Sequence, residues 1–372
     1  MPNIYTKVQM IAYEINTFPS SEISQVKKKG WFTLPVYSRK STYKGNDNEL
    51  IDISKRSAFL VDAITNATAK ADINSDTLKV FMVPEFFFRG TRGAYSFDHY
   101  DKLVDMLKGM IEDDKYKHWL FVFGSVLLTW KGDSTSTSLE GTENLIQNVV
   151  LVSKGGAGSE MKAVVKEYMS GIDFIKSGKE KRTDKLGNEY YMIDGSLDVS
   201  ALVKSQVVHP LAAKSSGQGR EAQSNPDSGQ SIVDIDGITI GIEICLDHLM
   251  KRLRKSPPAL MQKYIQLQLI PSAGMEIKDE STVAVKGGVV FNCDGNQRSA
   301  VKIVKTQCAG DKTAAIFQGV VPVAVLSDAH NATVLNEVKD YYVADGKPQI
   351  AVYPVELIPA AVQRTTSVPQ YK

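Results

Sequence analysis

The segment that most limits what this chain can fold into is Gly241-Ile-Glu-Ile-Cys-Leu-Asp-His248 together with the ten residues before it. Ser231–Ile240 reads as two short strands about an Asp236-Gly237 turn, the dipeptide that best supplies the positive φ angles a tight hairpin needs. After Cys245 the apolar spacing changes from alternation to Leu246, Leu249, Met250 and Leu253, which is helical. Cys245 therefore stands where a buried strand becomes a helix. Open α/β folds gather their ligands at the carboxyl ends of strands. Helix N–H groups beside the sulfur favour the thiolate, so the spacing predicts a depressed thiol pKa. The same residue type also serves as a small buried apolar side chain, and the segment alone leaves both readings open.

The remaining apolar stretches supply the elements to which this elbow must belong. Strands are predicted at Tyr5–Tyr13, Lys79–Val83, Trp119–Leu128, Leu145–Val152, Met161–Val165, Leu267–Pro271, Val289–Asn292, Ala314–Val325 and Gln349–Glu356. Helices are predicted over Glu49–Ala69, with Asp47 or Asn48 as N-cap, and over Phe97–Asp113. Pro257-Pro258 separates the helix after Cys245 from another ending near Gln266. Residues 17–48 read as a polar surface excursion. Residues 175–230, with a charged run and few apolar side chains, read as an insertion or lid within one domain spanning 1–372.

With 372 residues, 43% hydrophobic and 23% charged, the chain has ample length for a large core. A formal net charge of +2, with no basic block, gives no sign of a nucleic-acid partner. No apolar run approaches a membrane span and no signal peptide is visible, so a cytoplasmic location is expected. Cys245, Cys293 and Cys308 are too few for a disulfide framework or a zinc site, which fits a reducing compartment.

Three ionisable residues end three of the predicted strands: Glu85, Lys166 and Cys245. They are 81 and 79 residues apart (166 − 85 and 245 − 166), so only the fold can bring them together. A carboxylate, an ammonium and a thiol at one sheet edge make a complete acyl-transfer site: base, oxyanion partner and nucleophile, with the Leu246 backbone N–H as a second oxyanion donor. Asp247 reads as a helix-start carboxylate. His248 points to a different helical face from Cys245, which argues against a Cys-His dyad, and nothing local supports a protease-like site using His209, His248 or His330. The run Phe86-Phe87-Phe88 reads as core, with one ring available to wall a pocket. Arg89 and Arg92 read as a solvated pair or as a fork for a substrate carboxylate.

With these residues in view, the chain resembles the nitrilase superfamily of carbon–nitrogen hydrolases. Val80-Phe-Met-Val-Pro-Glu85 is similar to that family's strand ending in Pro-Glu. Asn148-Val-Val-Leu-Val-Ser-Lys-Gly-Gly156 followed by Val164-Val-Lys166 is similar to its Asn-strand, turn and Lys-strand. Gly241-Ile-Glu-Ile-Cys245-Leu-Asp247 is similar to its cysteine elbow, and Leu267–Ala273 to the strand and turn after it. The resemblance covers roughly residues 5–173 and 231–355. It implies a four-layer α-β-β-α sandwich, a Glu85-Lys166-Cys245 triad, no cofactor or metal, and a homo-oligomer of two or more chains. The implied substrate is a small-molecule amide or nitrile, or an N-carbamoyl compound, and acyl transfer or a catalytically retired binding protein stays open on the same pattern. Leu246 replaces a usual aromatic residue, and Tyr168, a candidate substrate contact with Phe86 and Arg89, stands where His is frequent. Many members add a second acid beside the triad. Asp173 is nearest in sequence, and Glu243 lies on the same strand face as Cys245 by two-residue alternation, so it is the other candidate.

Overall fold

The computed structural model describes residues 5–18, 20–25, 36–43, 45–91, 93–131, 144–168, 178–183, 189–196, 206–207, 231–255, 265–306, 322–327 and 348–360. Strands β1 (Lys7–Glu14), β4 (Thr77–Met82) and β6 (Trp119–Lys131) lie side by side and parallel in the largest sheet. Between them in sequence come β2 (Ser20–Gln25), β3 (Val36–Thr42), helix α1 (Glu49–Thr68), β5 (Tyr95–Ser96) and helix α2 (Tyr100–Ile111). The sheet continues with β7 (Asn144–Lys154) and β8 (Met161–Val165), antiparallel hairpin partners, and on its other side with β18 (Gln349–Leu357) and β17 (Ala324–Ser327). The second sheet runs β12 (Ile232–Ile235), β13 (Ile238–Ile242), β14 (Leu267–Ser272), β15 (Val289–Asp294), β16 (Lys302–Lys305), with β13 to β15 parallel.

Strand alternation sets the layers. In β4, Leu78, Val80 and Met82 enter one buried cluster while Phe81 and Val83, just past its end, enter another. The first cluster also takes Ile238, Ile240, Ile242, Ile244, Leu267, Leu269 and Phe291, so it is the interior between the two sheets. The second takes Ile53, Leu60, Ile64, Leu103 and Leu107, so α1 and α2 both cover the opposite face of the large sheet. Burial of these apolar stripes, at about 25 cal/mol per Å², is the main force holding the layers together. α1 begins at Asn48, whose side chain accepts from the Ile51 N–H at 3.2 Å.

The described residues form a helix–sheet–sheet arrangement within a mixed α/β fold. On the outer face of the second sheet the helix after Cys245 is one turn, α3 (Leu246–Leu249), followed by turns to Lys255. The second helix expected to end near Gln266 falls mostly in 256–264, outside the described residues. So do most of the expected strand 314–325, of which Ala324–Ser327 is seen as β17, and the loop 132–142.

The polar excursion 17–48 and the insertion 175–230 contribute to one small sheet. β2 and β3 form one hairpin, β9 (Gly178–Thr183) and β10 (Glu189–Ser196) another, and β3 joins β10 in parallel. β11 (Gln206–Val207), also in the insertion, pairs with β7 at the rim of the large sheet. Sequence reasoning saw no strands here because neither segment carries a clear apolar alternation, and the pairing is between stretches about 150 residues apart.

One irregularity in β6 matters for the site. Register slips between Val122 and Ser125, at Gly124, whose φ is +71°. A β-carbon there would sit 2.3 Å from the Pro84 carbonyl oxygen. The bulge lets Ser125 Oγ accept the Phe86 N–H at 2.8 Å. Gly124→Ala is expected to lower unfolding free energy by at least about 2 kcal/mol in denaturant titration, from backbone strain and the Pro84 contact.

Candidate active site

The bulge is one of several ties that fix Glu85. Its N–H donates to Ser272 O at 3.3 Å, across to the second sheet. Its carbonyl accepts from Thr17 Oγ1 at 2.6 Å, and the next residue, Phe86, takes a φ of +66°. The Glu85 carboxylate accepts from Lys166 Nζ at 2.8 Å and from Asn148 Nδ2 at 2.9 Å, both on the same oxygen. Both ion-pair side chains are fully buried. Asn148 lies within β7 and Lys166 just past the end of its antiparallel neighbour β8, where the Lys166 N–H donates to Asn148 O at 2.9 Å. By alternation Asn148, Val150 and Val152 share the inner face of β7, and Lys166 continues the inner face of β8 from Val164.

Cys245 arrives from the second sheet. Its backbone is strained, with φ 49° and ψ −105°, a region that non-glycine residues seldom occupy. Its N–H donates to Pro271 O at 3.1 Å. The twist turns the sulfur toward Glu85 and Lys166, whose charges both act on it. Burial pushes the thiol well above its ordinary value of 9.0; the negative Glu85 and a hydrogen bond to its carboxylate push the same way, while Lys166 and the Ala273 N–H pull down. The depressed pKa expected from a helix N-terminus is therefore corrected. α3 is only four residues long, and desolvation of the thiolate outweighs it. Burial and the neighbouring carboxylate thus favour the neutral thiol.

The structure thus brings together Glu85, Lys166 and Cys245, with Leu246 starting α3 beside them. Glu243 is placed elsewhere. Its carboxylate meets His248 Nδ1 at 2.6 Å and accepts from the Leu253 N–H at 2.8 Å and Gln268 Nε2 at 2.8 Å, on the outer face of the second sheet. Alternation fails because the positive φ of Cys245 reverses the side its side chain takes. His248 Nε2 accepts the Lys278 N–H at 2.9 Å, so its proton sits on Nδ1 and its ring is committed to Glu243. Asp173, Arg92, His209, His330 and Cys308 lie outside the described residues. Cys293 packs between the sheets, its sulfur 3.4 Å from Met82 O.

Phe86 is buried with Ala94, Leu127 and Ala273, and its ring centroid lies 5.7 Å from Lys166 Nζ. Arg89 is not a solvated residue. Its guanidinium carbon lies 4.0 Å from the Tyr43 ring centroid and 4.3 Å from that of Phe86. Tyr168 is half-buried, with Lys255 Nζ 5.6 Å from its ring centroid. Among the described residues no group of three or more His, Cys, Asp and Glu side chains is arranged to hold a metal ion.

Asp247 does more than start a helix. Its carboxylate is completely buried and accepts from the Glu167 N–H at 3.0 and 3.2 Å, the Tyr168 N–H at 2.9 Å and Arg252 Nη1 at 3.0 Å. Neither this contact nor the bond from Asn148 to Glu85 is visible in sequence, since both cross between distant segments. Burial raises the Asp247 pKa from 3.8 to about 6 against the pull of Arg252 and Lys166. A raised carboxyl pKa means the folded state holds the proton more tightly, so the contribution is full below 3.8 and is lost as pH rises through about 6. Denaturant titrations at pH 4 and pH 7 should show wild-type stability relative to Asp247→Asn falling by about 2 kcal/mol, most of the full shift, since pH 4 lies just above the unfolded value.

No protein-family model matches the chain, and no curated protein sequence matches it. Among solved structures, it is similar to an amidase from Nesterenkonia sp., at 9% identity and a TM-score of 0.40, over 96% of this chain and 92% of that one. It is likewise similar to a point mutant of Nesterenkonia AN1 amidase from the nitrilase superfamily, at 9% identity and 0.39, over 95% and 92%. A CN-hydrolase superfamily protein from Xanthomonas campestris matches at 10% identity and 0.37, over 90% and 94%. The solved structures this chain is similar to thus include nitrilase-superfamily amidases and a CN-hydrolase superfamily protein, at distances where function must be argued from the residues of this chain alone.

Proposed function

We propose that this chain is a carbon–nitrogen hydrolase of the nitrilase type, built on that family's four-layer sandwich, which cleaves a small-molecule amide through a Cys245 acyl-enzyme. The observation that carries the reading is the meeting of Glu85, Lys166 and Cys245, three groups from distant segments, in one buried cluster at the strained end of β13. Strain of this kind, where a non-glycine residue is held at positive φ, concentrates at functional sites. A fully buried carboxylate–ammonium pair is a poor way to gain stability, which favours a chemical use for it.

The chemistry follows from the protonation states. The Cys245 sulfur attacks the amide carbon as its proton passes to Glu85, forming the S–C bond and a tetrahedral oxyanion. Lys166 Nζ and the Leu246 N–H stabilise that oxygen. The C–N bond breaks as Glu85 returns the proton to the departing nitrogen, which leaves as ammonia or an amine. Water then attacks the thioester, giving its proton to Glu85. The C–S bond breaks, the acid departs, and the sulfur recovers the proton. A carboxylate that is base, then acid, then base and acid once more suits a thiol that is neutral at rest. Asn148 and Lys166 hold Glu85 in place through all four transfers.

An ammonia-release screen over amides, nitriles and N-carbamoyl compounds tests the reading. Turnover on an amide is expected, with Cys245→Ala inactive, Glu85→Gln slowed by about 10²–10⁴, and a mass increase on Cys245 in acid-quenched reactions. Turnover that survives Cys245→Ala would end it, and so would a correctly folded protein with no activity on any of the three classes. A second measurement follows the resting thiol. Because its pKa lies well above 9.0, alkylation of Cys245 by iodoacetamide should keep rising past pH 9 rather than level off near neutrality, and should outpace that of buried Cys293.

A further inference from the structure

Lys166 is held by more than its ion pair. The residue before it and the two after it are gripped by a single pair of side chains from the segment that carries the nucleophile. Arg252 Nη1 donates to Val165 O at 2.5 Å, and Asp247 accepts the N–H groups of Glu167 and Tyr168. Asp247 and Arg252 are bonded to each other at 3.0 Å, and the Arg252 N–H donates to Asp247 O at 3.0 Å. Both side chains are buried. Asp247 lies two residues beyond Cys245, and its own N–H donates to Ile244 O at 3.0 Å, so the turn that aims the sulfur and the carboxylate that holds the lysine strand are one rigid unit.

The geometry points to the Asp247–Arg252 pair as a positioning device that sets the Lys166 ammonium relative to the Cys245 sulfur. The two sheets have to be registered at this point, because Lys166 ends a strand of one and Cys245 a strand of the other. Packing between apolar faces fixes such a register loosely, whereas hydrogen bonds to two consecutive N–H groups and a flanking carbonyl fix it to within a few tenths of an ångström. The charged groups facing Asp247 are Arg252 and Lys166, and Glu167 lies 3.7 Å from Arg252 on the far side. This reading rests on Cys245 being the nucleophile.

The test is the pH profile of Cys245 alkylation in the full-length protein, read by mass spectrometry at that residue. If the pair sets Lys166, then Asp247→Asn moves the ammonium off the sulfur, the thiolate loses its cation, and the profile shifts to higher pH, with labelling at pH 8 about tenfold slower, as one pKa unit requires. A role confined to stability predicts the opposite sign. Loosening the elbow lets water reach a thiol whose pKa is raised chiefly by burial, so the profile would shift down and labelling would quicken. A downward shift, or none, therefore overturns the proposal. The cycle with Lys166→Met sharpens the result: in that background Asp247→Asn should have no further effect on the profile, and an undiminished effect would also overturn it. Should Lys166→Met fail to fold, the sign of the single-variant shift decides. Failure of the nucleophile reading looks different, since wild-type Cys245 would then label no faster than Cys293.

Discussion

The buried ion pair between Glu85 and Lys166 is the constraint on which the rest of the site depends. Two opposite charges 2.8 Å apart, both out of contact with solvent, are tolerable only if each is oriented and further bonded. That demand accounts for much of the surrounding structure. Asn148 adds a second donor to the same carboxylate oxygen. Thr17, Ser125 and Ser272 hold the backbone on either side of Glu85. Arg252 and Asp247 hold the backbone on either side of Lys166. The packed sheets contribute the buried apolar walls, and the polar ties at their rim contribute the angles.

The elbow shows how a short stretch can serve two faces of a sheet. Ile240, Ile242 and Ile244 point into the core between the sheets, and Glu243 points outward into a polar set with His248 and Gln268. Simple alternation would send Cys245 outward as well. The positive φ breaks the pattern and sends the sulfur toward Glu85 and Lys166. The outward set then acts as a brace, since Glu243 also holds the Leu253 N–H and His248 the Lys278 N–H, so that the strained turn cannot relax into a regular helix start. Local strain of roughly 1–3 kcal/mol is sustained only where neighbouring contacts over-determine the conformation, and here they do.

In the proposed mechanism the thiol's environment suits a carboxylate base. A site built around a pre-formed thiolate would need dominant positive potential at the sulfur. Burial and Glu85 together outweigh Lys166, so the resting sulfur keeps its proton and the carboxylate next to it is the natural acceptor. In that proposed mechanism Lys166 matters more after the attack, when negative charge moves to the substrate oxygen.

The sequence by itself determined the existence of most elements of the two larger sheets and the helices that cover one of them. Short apolar stretches located β1, β4, β6, β7, β8 and β14, helical spacing located α1 and α2, and Asp236-Gly237 located the hairpin, because these signals depend on neighbours a few residues apart. It also determined which residue types stand at strand ends, hence the list of Glu85, Lys166 and Cys245. What only the tertiary structure decided is everything that joins distant segments: that these three side chains share one buried cluster, that Asn148 holds Glu85, that Asp247 holds the Lys166 strand, that Arg89 is buried between aromatic rings, and that two polar excursions pair in a small sheet. It also decided the sign of the thiol's pKa shift, since desolvation is a property of the packed surroundings, and the side taken by Glu243, since one backbone angle at Cys245 overrides the two-residue period from which its face would otherwise be read.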